Sequence, residues 1–377
     1  MIKIVVDENI ALADKAFSRI GDVVMISGRE ITNTVLKNAD ILIVRSITRV
    51  DEKLLKNTSV KFVGTATIGT DHIDLDYLNH SGIAFADAKG CNAYSVAEYV
   101  IAALLKLSIQ LKFKLDEKSI GIVGVGNVGS KVAAFANALG MKVSLNDPPL
   151  QRKGDKQKFV DSDEILKCDI ITLHTPLNLT GPDKSYHLFN KEKLKRIRES
   201  SILLNTSRGA VINNAELHDL IANKKLNVVL DVWEHEPEIN IELLQQVSTG
   251  TAHIAGYSYE GKVNGTKLIY NSLCDFLDIE KSFRFDLNNP QKFKLQFKET
   301  ENRAAGLNDL IKNIYSIEDD DKQMRKMLIM DKSERIKFFD LLRKNYPIRR
   351  EFNNYQIQSD HLSSEMKSVL QKLRFNI

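Results

Sequence analysis

Ser119-Ile-Gly-Ile-Val-Gly124-Val-Gly126-Asn127-Val128-Gly129-Ser-Lys-Val132 is the stretch on which the reading of the fold turns. An apolar run with strand character leads into glycines spaced G-x-G-x-x-G, and apolar residues then recur at helical spacing to Leu139, with Gly140 in the position of a helix stop. Each glycine has a physical task. The first permits a tight turn, the second lets backbone approach an anion, and the third brings helix and strand close together, while the helix N-terminus offers unpaired N–H groups to phosphate. The next strand-like run, 142–146, ends in Asp147, 18 residues after Gly129. A carboxylate there can accept hydrogen bonds from ribose hydroxyls. The unit therefore reads as a dinucleotide site, and because Asp147 would repel a 2′-phosphate, NAD is favoured over NADP; a flavin is the other alternative ligand.

Working outward, runs at 170–174, 202–205 and 228–232 continue the strand series with helical patterns between them. Upstream, 2–6, 23–26, 41–44, 60–64 and 83–86 form a second series of the same kind, and 92–113 reads as a long helix capped by Asn92. Strands alternating with helices imply parallel sheets, because parallel strands need crossover connections. The expected class is α/β, with two doubly wound parallel sheets. Beyond about 285 the composition becomes Lys-, Asn- and Phe-rich, and helices near 304–314 and 334–345 suggest a third module. The acidic run 318–321 between them reads as a solvated loop rather than a metal site.

The 377 residues exceed what one core usually fills, and 43% hydrophobic with 27% charged is ordinary for a globular chain. No apolar run approaches a membrane span, and the opening residues enter a strand directly without the zones of a secretion signal. Cys91, Cys168 and Cys274 are widely separated, and no Cys-x-x-Cys pair is present. These features lead to the expectation of a cytoplasmic protein without membrane association or a bound metal. The net charge of +4 comes from residues 281–377, with 20 Lys and Arg against 14 Asp and Glu. Both signs interleave there, which reads as solvated surface and gives no ground for a nucleic-acid partner.

Three further segments follow strand ends, where open α/β sheets collect ligands: 205–209 with Arg208, 231–237 with Glu236, and 251–257 with His253. Oxidising a secondary alcohol requires a base for the hydroxyl proton, a cation for a neighbouring carboxylate, and a group that tunes the base. One candidate of each type is present. The strings 121–129, 205–209, 231–237 and His253-Ile-Ala-Gly256 resemble those of the D-isomer-specific 2-hydroxyacid dehydrogenases.

That resemblance implies catalytic roles for Arg208 on the substrate carboxylate and 2-oxygen, for His253 as acid/base, and for Glu236 rather than Glu234 as the histidine's partner. It also implies an NAD site of Gly124, Gly126, Asn127, Val128, Gly129, Asp147, Thr175, Thr206, Ser207, Arg208, Asp231 and Gly256. Ser46, Thr67 and Tyr257 would contact a small phosphorylated 2-hydroxy acid. By the same resemblance, 1–91 and 255–285 form a flavodoxin-like substrate domain, 92–254 a Rossmann NAD domain, and 286–377 a C-terminal α+β domain that makes a homodimer. Domain closure is expected about Asn92 and Ala255. Arg349 or Arg350 is a candidate to reach a partner subunit's phosphate pocket, against the plainer expectation of a structural salt bridge. A phosphoglycerate-oxidising member of the family and an NAD-sensing corepressor of the same fold remain as alternative readings.

Overall fold

The computed structural model describes residues 1–286 and 293–377, so 287–292, at the start of the expected third module, lie outside the described residues. The chain divides into two compact units, Met1–Asn92 with Ser258–Asn289, and Ala93–Tyr257 with Pro290–Ile377.

The first unit is built on a five-stranded sheet of order β2-β1-β3-β4-β5, comprising β1 (Lys3–Asp7), β2 (Asp22–Ile26), β3 (Ile41–Val44), β4 (Phe62–Thr65) and β5 (Ala84–Asp87). Every pairing is parallel. Alternation along the strands splits the core between two faces: Ile4 and Val6 pack with Phe62 in one cluster, while Val5 packs with Leu42 and Val63 in the other. The helix Tyr259–Leu277 closes the first face with Ile269, Tyr270 and Leu273, and Ser258 caps it by accepting from the Gly261 N–H.

The second unit carries a six-stranded sheet of order β11-β10-β9-β8-β6-β7, comprising β6 (Ser119–Val123), β7 (Lys142–Asn146), β8 (Ile170–Leu173), β9 (Ile202–Asn205), β10 (Asn227–Leu230) and β11 (Thr249–Gly250). All five pairings are parallel. The direction of winding reverses between β6 and β8, where doubly wound sheets place their ligands. The helix Ala93–Gln110 is buried almost all round. The Asn92 cap expected from the sequence is not made, since its buried Oδ1 has no hydrogen-bond partner among the described residues.

Residues 293–377 form a two-stranded parallel sheet, β12 (Phe293–Gln296) with β13 (Tyr355–Gln358), and the helices Arg303–Lys312, Ile317–Arg325, Lys332–Lys344 and Ser364–Lys372. This module shares a core with the six-stranded sheet instead of standing apart. Leu307, Ile311, Phe352 and Leu370 belong to the same cluster as Val100, Ile120 and Phe135. Full burial of each such apolar side chain contributes about 1.5–3 kcal/mol.

The acidic run is not a solvated loop. It begins the helix Ile317–Arg325, where Ser316 accepts from the Asp319 N–H and the carboxylates Glu318, Asp319 and Asp320 occupy the first turn. Negative charge is favoured at that end of a helix dipole. Among the described residues no helix is long and apolar enough to cross a membrane, and no cluster of side chains could hold a metal. The three cysteines are buried, and among the described residues none is joined in a disulfide.

Candidate active site

The glycine turn forms as its spacing requires. Gly124 has φ of +83°, a region that costs other residues strain, and its N–H donates to the Asn146 carbonyl at 2.9 Å. A Cβ on Gly129 would lie 1.9 Å from the Gly124 carbonyl oxygen, so only glycine lets the helix Asn127–Ala138 start so near β6. Gly126 differs, because a Cβ there would meet nothing within 4 Å. The space over the turn is open to a ligand, and Gly126 adds no side-chain cap to the first turn, which holds Asn127, Val128 and Gly129.

Asp147 stands at the end of β7 and fastens the turn from the side. Its Oδ2 accepts from the Val125 N–H at 2.8 Å, and its Oδ1 accepts from the Leu150 N–H at 2.9 Å, capping the next short helix. Each oxygen keeps a second lone pair for a ribose hydroxyl.

After β8, His174 pairs its Nε2 with Thr172 Oγ1 at 3.0 Å and its Nδ1 with Thr206 Oγ1 at 3.2 Å. Loss of solvent pushes its pKa down to about 3, which keeps the imidazole neutral. Beside it, the buried Thr175 Oγ1 has no hydrogen-bond partner among the described residues. An open glycine turn, an uncapped helix start, a ribose-height carboxylate and an orphaned hydroxyl together fit a dinucleotide.

Asn205 organises the loop after β9. Its Oδ1 accepts from the Ser207 N–H at 3.0 Å and hydroxyl at 2.8 Å, and its Nδ2 donates to the Arg208 carbonyl at 2.9 Å. Arg208 Nη1 donates to the Ser207 carbonyl at 2.7 Å. Gly209 lets the next segment pass, because a Cβ there would lie 1.9 Å from the Trp233 carbonyl carbon.

After β10, Asp231 is 1% exposed and holds the histidine loop. Its Oδ1 accepts from Thr251 Oγ1 at 2.6 Å and the Ile254 N–H at 2.8 Å, and its Oδ2 accepts from the Ala255 N–H at 2.9 Å. Its carbonyl accepts from the His253 N–H at 2.7 Å.

Glu236 Oε1 accepts from the Trp233 N–H at 2.8 Å, and Oε2 lies 2.7 Å from His253 Nδ1. Burial would raise the pKa of this carboxyl, but His253, the Arg343 guanidinium and the Trp233 N–H outweigh it and hold the value below the ordinary range. Glu234 is engaged elsewhere, with its carboxylate bonded to His187 Nε2 and the Asn214 N–H, both at 2.7 Å. His253 has φ of +57° and a side chain 32% exposed, and its Nε2 has no partner among the described residues.

Further along the same loop, Tyr257 has Arg343 over its ring at 5.8 Å and Tyr346 edge-on at 5.9 Å. In the first unit, Thr67 Oγ1 bonds Thr65 Oγ1 at 2.8 Å, exposed Ser46 follows β3, and Arg45 Nε pairs with Asp7 Oδ2 at 3.2 Å.

Both adjacent arginines of the tail bond within the chain. Arg349 is 3% exposed and its Nη2 donates to the carbonyls of Ser95 at 2.6 Å and Ala255 at 2.9 Å. Arg350 donates to Asn354 Oδ1 at 2.9 Å within its own chain. The sequence reading missed Arg343, Asp321 and Arg349 as neighbours of the histidine loop. They come from segments some 70 to 100 residues downstream that carry no periodic signal toward it. It also passed over His174, the last residue of the strand-like run 170–174.

Residues 105–255 match the family model described as D-isomer specific 2-hydroxyacid dehydrogenase, NAD binding domain, and 282–373 match a domain of unknown function. Erythronate-4-phosphate dehydrogenase of Hahella chejuensis is 41% identical, the alignment covering 100% of this chain and 99% of that protein. The protein of that name from Cronobacter sakazakii is 43% identical, with 100% and 98% covered. Among solved structures, NAD-dependent formate dehydrogenase from Staphylococcus aureus in complex with NAD superposes with a TM-score of 0.63 at 24% identity, covering 75% of this chain and 97% of that one. D-lactate dehydrogenase from Aquifex aeolicus, with NAD and lactic acid, gives 0.59 at 23%, covering 73% and 95%.

Proposed function

The chain belongs to the erythronate-4-phosphate dehydrogenases, within the D-isomer-specific 2-hydroxyacid dehydrogenases, and from that premise we propose that it oxidises 4-phospho-D-erythronate to (R)-3-hydroxy-2-oxo-4-phosphooxybutanoate with NAD. The observation that carries the reading is the Glu236–His253 pair, joined at 2.7 Å with Nε2 unpartnered, at the strand ends of the sheet that bears the glycine turn.

NAD, when bound, accepts the hydride from C2. The residues suited to hold it are Gly124, Gly126, Asn127, Val128 and Gly129 for the pyrophosphate, Asp147 for the ribose, and Thr175, Thr206, Ser207, Arg208 and Gly256 along the remainder, while Asp231 fixes the loop they adjoin. His253 Nε2 removes the proton of the 2-hydroxyl as the C–H electron pair departs. Ionised Glu236 accepts the Nδ1–H, which directs the Nε2 lone pair outward and stabilises the imidazolium that forms. The Arg208 cation holds the substrate carboxylate and the oxygen that becomes a carbonyl. Ser46, Thr67 and Tyr257 are the further substrate contacts in this reading.

The reaction serves pyridoxal 5′-phosphate synthesis in a cytoplasmic homodimer that uses residues 286–377 as its interface. The module exposes two large apolar side chains, Ile329 and Ile348, at 91% and 82%. Sedimentation should give twice the chain mass, and a monomer at working concentration counts against the dimer.

Substrate choice is tested by NADH formation from phosphoerythronate beside 3-phosphoglycerate, with a 2-oxo acid present to reoxidise retained NADH. Preference for phosphoerythronate is expected. Preference for phosphoglycerate would move the assignment to the sister enzyme, and NAD binding without turnover would favour a sensor.

A further inference from the structure

Residues 293–377 grip the loop bearing His253 on both sides of the histidine. On the upstream side the Gly250 N–H donates to Asp321 Oδ1 at 2.7 Å. Asp321 is held in turn by Arg325 Nε at 2.9 Å, while the two Nη groups of Arg325 donate to the carbonyls of Leu244 and Val247 at 3.0 and 2.7 Å. On the downstream side Arg349 donates to the Ala255 carbonyl at 2.9 Å.

Next along the chain comes Tyr257, packed between Arg343 and Tyr346, and the Tyr346 hydroxyl donates to Asp320 Oδ2 at 2.9 Å. Arg343 projects from the last turn of the helix Lys332–Lys344, which Phe339 anchors in the same core as Trp233 and Ala252. Its Nε is buried without a hydrogen-bond partner among the described residues. Its charge acts on Tyr257, to which it also hydrogen-bonds, and on Glu236 and Asp340. Burying a guanidinium carries a desolvation cost that a merely structural site avoids by using apolar side chains. A cation kept there, against the ring of Tyr257 and near enough to act on the carboxylate that orients the imidazole of His253, points to a use for its charge.

We propose that the C-terminal module is part of the catalytic apparatus: it clamps residues 250–257, and Arg343 acts as a positioning residue that fixes Tyr257 and the Glu236–His253 pair for proton transfer. This rests on the reading of His253 as the base. Glu236 faces His253, the Trp233 N–H and Arg343, so removing Arg343 removes a positive charge from the pair and makes it bind a proton more readily.

The test compares full-length wild type, Arg343→Met and Arg343→Lys, with NAD and 4-phospho-D-erythronate across pH. Arg343→Met is expected to lower kcat about ten- to hundredfold with little change in KM. It should also move the acid limb of the kcat profile upward by about half a unit to one unit. Arg343→Lys should restore the limb and most of the rate. Circular dichroism and NAD affinity report folding, and if the Met variant does not fold, Arg343→Gln takes its place.

Wild-type kcat and an unmoved acid limb in the uncharged variant would overturn the proposal. So would a rise in KM alone, which would make Arg343 a phosphate ligand. A wild type that binds NAD but oxidises neither phosphorylated acid overturns the functional reading and this inference with it, whereas equal turnover by wild type and variant overturns the inference alone.

Discussion

His253 sits in a backbone conformation that few side chains tolerate. Its φ of +57° is held by the N–H donated to the Asp231 carbonyl and by the Asp231 carboxylate, which gathers Thr251, Ile254 and Ala255 around it. Strain of this kind persists where surrounding bonds over-determine the geometry, and it is found at functional sites. A second titratable residue has a measurable consequence for stability. Burial raises the Asp320 carboxyl to about 6 from an ordinary 3.8, against the opposing influences of Tyr346 and Arg349. Folding therefore favours its protonated form, so its contribution to stability is complete below about pH 3.8 and is lost as pH rises through 6. Asp320→Asn keeps an acceptor for the Tyr346 hydroxyl without a charge to bury. Between pH 4 and 7 the variant should gain on wild type by on the order of 2–3 kcal/mol, read from denaturant melts at each pH. Parallel pH dependences would show that Asp320 does not titrate in this window.

At the level of the element, the strand–turn–helix unit separates two roles that glycine can play. Gly129→Ala places a methyl group 1.9 Å from a carbonyl oxygen and should lower Tm markedly, whereas Gly126→Ala meets open space and should melt like wild type. If the turn holds the dinucleotide, Gly126→Ala should nonetheless weaken NAD binding, by about tenfold or more in a fluorescence titration. Unchanged affinity would place the pyrophosphate elsewhere. The sequence was most informative where periodicity and turn chemistry coincide, so ten of the eleven strands in the two larger sheets were expected within a few residues of their observed bounds. β11 has only two residues, too short for any alternation to register. The acidic run was misread because four charges in a row suggest solvent, while the capping by Ser316 and the burial of Asp321 depend on partners that the local sequence does not display.

On the scale of the whole molecule, the chain twice returns to a unit it has left. The helix Tyr259–Leu277 packs on the sheet of the first 92 residues, and 293–377 complete the core of the second unit. Periodicity could assign each helix its type but not its destination. Resemblance supplied the first return, and the depth to which the tail enters the second core emerged only from the structure. The strings at Arg208, Glu236 and His253 could be picked out because each follows a strand end, whereas the contacts of Asp321, Arg325 and Arg349 with residues 244–255 could not. The most direct test of the central claim compares wild type with His253→Ala for NADH formation from 4-phospho-D-erythronate, alongside NAD affinity. The account predicts that the variant binds NAD normally and loses about 10²–10⁴ in kcat. Wild-type turnover by His253→Ala would contradict it.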